Sequence, residues 1–152
     1  MAQVKPDYEV IENFNTMANQ IVEKYPDMFY GIDVDKLRCV KITNKERPHA
    51  EGKPNTPWSV VSVKMPMRLD CPYAWYITIH HNDWDEMDTS HKLLLVADIL
   101  QDIPKDGEEG KVVPCDVKGH AAMFRTFKSI DYLTDADVPN ILEEDIQWRV
   151  TK

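Results

Sequence analysis

The stretch from Asp88 to Pro104 (DTSHKLLLVADILQDIP) constrains this chain more than any other. Leu93, Leu94, Leu95, Val96, Ala97, Ile99, Leu100 and Ile103 leave a helix here almost no solvent-facing side, and such a helix must be packed on several sides at once. A central helix over 88–103 is therefore predicted, with Asp88 or Thr89 as its cap and Pro104 as its stop. Asp98 and Asp102 stand out within it. Four residues apart, they lie on one side of the helix, in a segment that otherwise has little use for charge. The plain reading of the pair is a solvated or hydrogen-bonded edge of the helix.

The remaining elements are what must cover that helix. Val10, Ile11, Phe14, Met17, Ala18, Ile21, Val22 and Tyr25 recur on one helical face, which predicts a helix over 7–25 capped by Asp7 and ended by Pro26. After a turn around Gly31, Leu37 to Thr43 alternates as a half-buried strand, with Cys39 expected as a small polar-facing or edge residue. Residues 44–57 are rich in Pro, Gly, Asn and charge, which marks a surface loop with His49 solvated. Trp58 to Met65 and Tyr73 to His80 read as further strands, the second with Tyr73, Trp75, Ile77 and Ile79 on one face. Strands that succeed one another without an intervening helix favour antiparallel or mixed pairing, so 37–80 is expected to form a short sheet of about three strands. A polar turn over 82–87 leads into the central helix, and a shorter helix is expected over 116–127. The segment 129–152 reads as a wrapping tail with a short helix from Asn140 to Trp148. The whole, 1–152, is expected to be one α+β domain.

Charge narrows the function classes. With 26 acidic and 18 basic residues the net charge is -8, which argues against direct nucleic-acid binding or an anionic membrane surface, since both need cationic groups. No apolar window approaches a membrane span. Cys39, Cys71 and Cys115 are widely spaced and odd in number, which fits a reducing, cytoplasmic setting without a disulfide framework. His80, His81, His91 and His120 are scattered and read as surface or capping residues.

Four-residue spacing on a helix is what the zinc-peptidase motif HExxH uses, with two histidines on the metal and the glutamate after the first as general base. The corresponding pentapeptide here is Asp98-Ile99-Leu100-Gln101-Asp102. The run from Trp84 through Phe127 resembles the phage metallopeptidase family, in which a Trp-containing turn precedes an apolar HExxH helix, often with Ile-Pro after it. In that family a glycine-containing loop then leads to a third histidine and a helix bearing Phe and Arg. Ala97 to Pro104 (ADILQDIP) aligns with the motif helix, and Gly110 to Val117 (GKVVPCDV) with the third-ligand segment. The resemblance therefore implies a small zincin-like domain with Asp98, Asp102 and Cys115 at the ligand positions and Ile99 at the base. It covers about two thirds of the chain by pattern and order. An Asp/Asp/Cys set is not a usual catalytic zinc triplet, and isoleucine cannot take a proton from water.

The resemblance and the substitutions together imply a catalytically inactive, phage-encoded protein, with no cofactor, that binds other proteins in the host cytoplasm. An acidic surface suits a basic groove, for instance that of a host nucleic-acid-binding protein, which such a chain would inhibit. The candidate interaction residues are Asp83, Asp85 and Glu86 in the turn, Asp106, Glu108 and Glu109 in the loop, and Asp131, Asp135, Asp137, Glu143, Glu144 and Asp145 in the tail. Two alternatives stand beside this. One is a divergent metal-dependent hydrolase holding zinc with Asp98, Asp102 and Cys115. The other is a virion or assembly component that self-associates through Trp58, Trp75 and Trp84.

Overall fold

The computed structural model describes residues 5, 7–44, 58–106, 108–113, 121–127, 132 and 137–149, and its elements are those of an α+β protein. At the start of the chain, contrary to expectation, Asp7 caps no helix. Its N–H donates to Asn44 Oδ1 at 2.9 Å and its carbonyl accepts from Thr43 N–H at 2.9 Å. Tyr8–Val10 accordingly runs as strand β1, and helix α1 spans only Glu12–Lys24. Tyr8-Glu9-Val10 alternates as readily as it fits a helical face, and ladder pairing with a neighbouring strand satisfies its backbone groups. Pro26 ends α1 as expected and also opens the one-turn helix α2, Pro26–Phe29, where its missing N–H has no consequence.

Strands β2 (Leu37–Ile42), β3 (Trp58–Ser62) and β4 (Trp75–His80) complete a sheet of order β1-β2-β4-β3. The pairing is mixed. β1 runs antiparallel to β2, β2 parallel to β4, and β3 antiparallel to β4. The sheet thus has four strands rather than about three, the addition being β1. In the register Cys39 lies beside Ile77, which faces Val60, and Leu37, Cys39, Trp75, Ile77, Ile79 and Trp58 are all buried. Cys39 is a core residue and not the polar-facing or edge residue expected, because its place in the alternation is that of Leu37. Burial drives its thiol pKa far up, so it behaves as a small hydrophobe. Arg38, Val40, Tyr76 and Thr78 on the opposite face are half-buried.

α1 packs on β2 and on the central helix through Phe14, Ala18 and Ile21. Asn15 fastens it, donating to the carbonyls of Val34 and Leu37 at 3.1 Å each. After the short helix α3 (His81–Asp85) comes the central helix α4, Thr89–Leu100. Asp88 is its cap, accepting from His91 N–H at 2.8 Å, and every residue from Leu93 to Leu100 is buried. That backbone N–H, followed by the His91 side chain, holds the Asp88 carboxyl below the usual carboxylate range. Helix α5 covers Ala121–Phe127. The start of the helix expected over 116–127 lies outside the described residues, as do most of the 44–57 loop, His49 and His120.

The tail wraps the fold but forms turns over 141–144, with no helix between Asn140 and Trp148. Asn140 Oδ1 accepts from Leu142 N–H at 3.0 Å and begins a turn. Lys24 Nζ then takes the Leu142 and Glu144 carbonyls, and Ile146 N–H donates to the Tyr25 hydroxyl, so groups that a continuing helix would need are committed to α1. Trp148 meets Tyr25, Phe29 and Phe127 edge-on, at ring separations of 5.7, 5.9 and 5.5 Å. No helix among the described residues is long and apolar enough to cross a membrane.

Gly31 is where the α2 turn meets the segment after α4. Its φ is +78°, and a Cβ there would lie 1.6 Å from the Lys105 carbonyl oxygen. Gly31→Ala therefore combines left-handed strain with a backbone clash. It is expected to lower unfolding free energy by well over about 1 kcal/mol, read as a fall in the urea midpoint.

Candidate functional site

The two acids of the central helix are inside the protein. Asp98 lies in the last turn of α4 and is 2% exposed; Asp102, at 6%, sits just past the C-cap Gln101. The chain tightens there, with Asp102 N–H on the Ile99 carbonyl and Ile103 N–H on that of Leu100. Neither acid lies on a solvated edge. Tyr132, from the tail, donates its hydroxyl to Asp98 Oδ2 at 2.8 Å. Trp58, from β3, donates its indole N–H to Asp102 Oδ2 at 2.8 Å. Both donors are themselves 8% exposed, so these are interior hydrogen bonds between carboxylates and aromatic groups.

An indole N–H can only donate, which makes Asp102 an acceptor by necessity. Buried Trp and Tyr need partners for their polar ends, and a buried carboxylate needs donors, so each pair removes two penalties with one contact. The Asp102 carbonyl also accepts from Val113 N–H at 2.7 Å, tying the 105–113 loop to the same point. Trp75 Nε1 adds a second tie, to the Lys111 carbonyl at 2.7 Å. Sequence reasoning missed Tyr132 and Trp58 as partners. The available signal was chemical demand, two acids in an apolar helix and aromatic donors elsewhere, which does not say which donor goes where.

Ile99, at the position aligned with the general base, is fully buried and has no proton-accepting atom. Cys115, at the third-ligand position, lies outside the described residues. His91 is drawn into the cap, its Nδ1 2.7 Å from Asp88 Oδ1. Among the described residues no three His, Cys, Asp or Glu side chains are grouped to hold a metal ion. Trp58, Trp75 and Trp84 are 8%, 1% and 3% exposed, so the tryptophans offered as self-association contacts are core residues.

The acidic surface separates into two sets. Asp85 pairs with Lys41 at 2.9 Å, Glu108 with Lys111 at 3.1 Å and Asp145 with Lys24 at 3.4 Å. Glu109 is held by Arg68 and Lys36, which lower its carboxyl pKa in that order of importance. Glu86, Asp106, Asp137, Glu143 and Glu144 are exposed and join no ion pair among the described residues, and Asp83 is half-buried in α3. Asp131 and Asp135 lie outside the described residues. The acids thus do not form one continuous unneutralised face. Glu143 and Glu144, with Asp145 beside them, make the densest exposed group, on the turn fastened to Lys24 and Tyr25.

No protein-family model matches the chain, and no curated protein and no solved structure matches it either.

If the acids of α4 act as hydrogen-bond ties, Tyr132→Phe removes a buried donor from Asp98 while keeping the ring. The expected loss is about 1–3 kcal/mol in urea denaturation.

Proposed function

We propose that this chain is a non-catalytic protein-binding module in which a peptidase-like helix serves only as the centre of the core. The observation that carries this reading is the use of Asp98 and Asp102 as interior acceptors for Tyr132 and Trp58, with buried Ile99 between them. Hydrolysis by a metal-activated water needs a base within hydrogen-bond reach of that water, and isoleucine supplies none. The resemblance to phage metallopeptidases, with its ligand and base positions substituted, points the same way and suggests a phage-encoded protein acting in the bacterial cytoplasm.

The binding surface of this reading is the tail turn, where Asp137, Glu143 and Glu144 are exposed and Asp145 is only weakly engaged by Lys24. Its partner is a basic protein, with a nucleic-acid-binding groove as the chemistry that such a surface imitates. Electrostatic capture of this kind is screened by salt. Pull-down from bacterial lysate is expected to retain a basic protein at about 50 mM salt and to lose it near about 500 mM. Glu143→Lys with Glu144→Lys is expected to abolish the capture. Retention that survives both high salt and this charge reversal contradicts the proposal.

A further inference from the structure

β3 is an edge strand that, among the described residues, pairs only with β4. Val63 N–H donates to the Ala74 carbonyl of the β4 side at 2.7 Å. Because backbone groups alternate along a strand, Val61 and Ser59 also face β4, while Val60 and Ser62 turn their N–H and C=O towards the side away from β4, where no strand pairs among the described residues. Trp58 to Val63 (WSVVSV) holds no charge and no proline, two of the devices that blunt edges. Val61 is 59% exposed on the outer face.

The connection after β3 extends this apolar surface. Met65, Met67 and Leu69 are 70%, 68% and 75% exposed, which makes them, with Val61, the main exposed hydrophobics of one short segment. Their display is built. Arg68 N–H bonds the Lys64 carbonyl and Leu69 N–H that of Pro66, while the Arg68 guanidinium is fixed on the Cys71 carbonyl at 2.7 Å and on Glu109. Exposed apolar side chains on a fastened turn beside an uncharged edge strand are the features of a pairing surface.

Charge does not oppose a second copy of this chain as the occupant. Two chains of net charge -8 repel, yet Trp58 to Leu69 contains no acid and carries Lys64 and Arg68. Glu109, which reaches this segment, is neutralised by Arg68 and Lys36. The segment is also complementary to itself. A two-fold axis at Val61 sets that side chain against its own counterpart at the closer, non-hydrogen-bonded spacing. The same axis places Val60 opposite Ser62 of the second copy, for about four main-chain hydrogen bonds. Lys64 and its counterpart then stand roughly 20 Å apart along the strands, so no like charges meet.

We infer that two copies of this chain pair edge to edge through antiparallel β3 strands, with Met65, Met67 and Leu69 packing at the two ends of the joint ladder. This interface stands independently of the binding-module reading, which uses the tail turn.

Sedimentation equilibrium of the full chain between about 1 and 100 μM is expected to show a monomer–dimer equilibrium. Val61→Lys puts like charges on the axis and is expected to weaken dimerisation about tenfold or more. Ser62→Pro removes an outward N–H without breaking a bond to β4 and is expected to do the same. Circular dichroism checks that both variants keep the native spectrum. Hydrogen exchange of the unaltered chain gives a readout free of folding effects, because the Val60 and Ser62 amides should gain protection as concentration rises. A monomer at all concentrations, a dimer indifferent to both substitutions, or exchange at Val60 and Ser62 that ignores concentration each overturns the inference.

Discussion

A carboxylate can stay inside a protein only if donors replace the water it has lost, and α4 with the turn after it brings two of them into the core. Burying an ionised carboxylate without partners costs several kcal/mol. The arrangement around Asp98 and Asp102 is therefore a condition on the rest of the fold. Trp58 must reach Asp102, which ties β3 to the turn after α4, and Tyr132 must reach Asp98, which ties the tail to the last turn of α4. Three parts of the chain far apart in sequence are joined at the end of α4 and the turn that follows it.

Other ties obey the same logic. Segments that cover α4 are held by polar bonds at their ends and apolar contacts along their length. The tail is fixed to α1 through Lys24 and Tyr25, and then closes over Phe29 with Trp148. The 105–113 loop is fixed through the Asp102 carbonyl, the Trp75 indole and the Glu109 pair with Arg68. In the proposed reading recognition falls to the acidic tail turn and the inferred self-pairing to the uncharged β3 edge, two regions of opposite chemical character.

Much of the fold was legible because periodicity reports burial. α1 beyond its first turn, the three later strands and the cap at Asp88 can be read from spacing and proline placement. Failures came where two periods fit equally well or where a distant partner decided. Tyr8-Glu9-Val10 suits both a helix and a strand, and Asn44 and Thr43, more than thirty residues away, settle it. Cys39 was misjudged by its chemistry although its place in the alternation was plain. The tail helix failed because Lys24 and Tyr25 take the carbonyls and the N–H that it required. At the candidate site the spacing offers Asp98 and Asp102 as a solvated or hydrogen-bonded edge; they are hydrogen-bonded, and buried instead of solvated. Burial of an acid depends on donors that no local pattern announces.

Asp98 and Asp102 accept hydrogen bonds from Tyr132 and Trp58, and the proposed non-catalytic reading takes those bonds, not metal ligation, as their role. Thermal unfolding of the purified chain in excess zinc and in excess chelator tests it directly, since a ligand that binds the native state raises the melting temperature. The two melting temperatures are expected to coincide. A zinc-dependent rise of several degrees that disappears in Asp98→Ala would contradict this role.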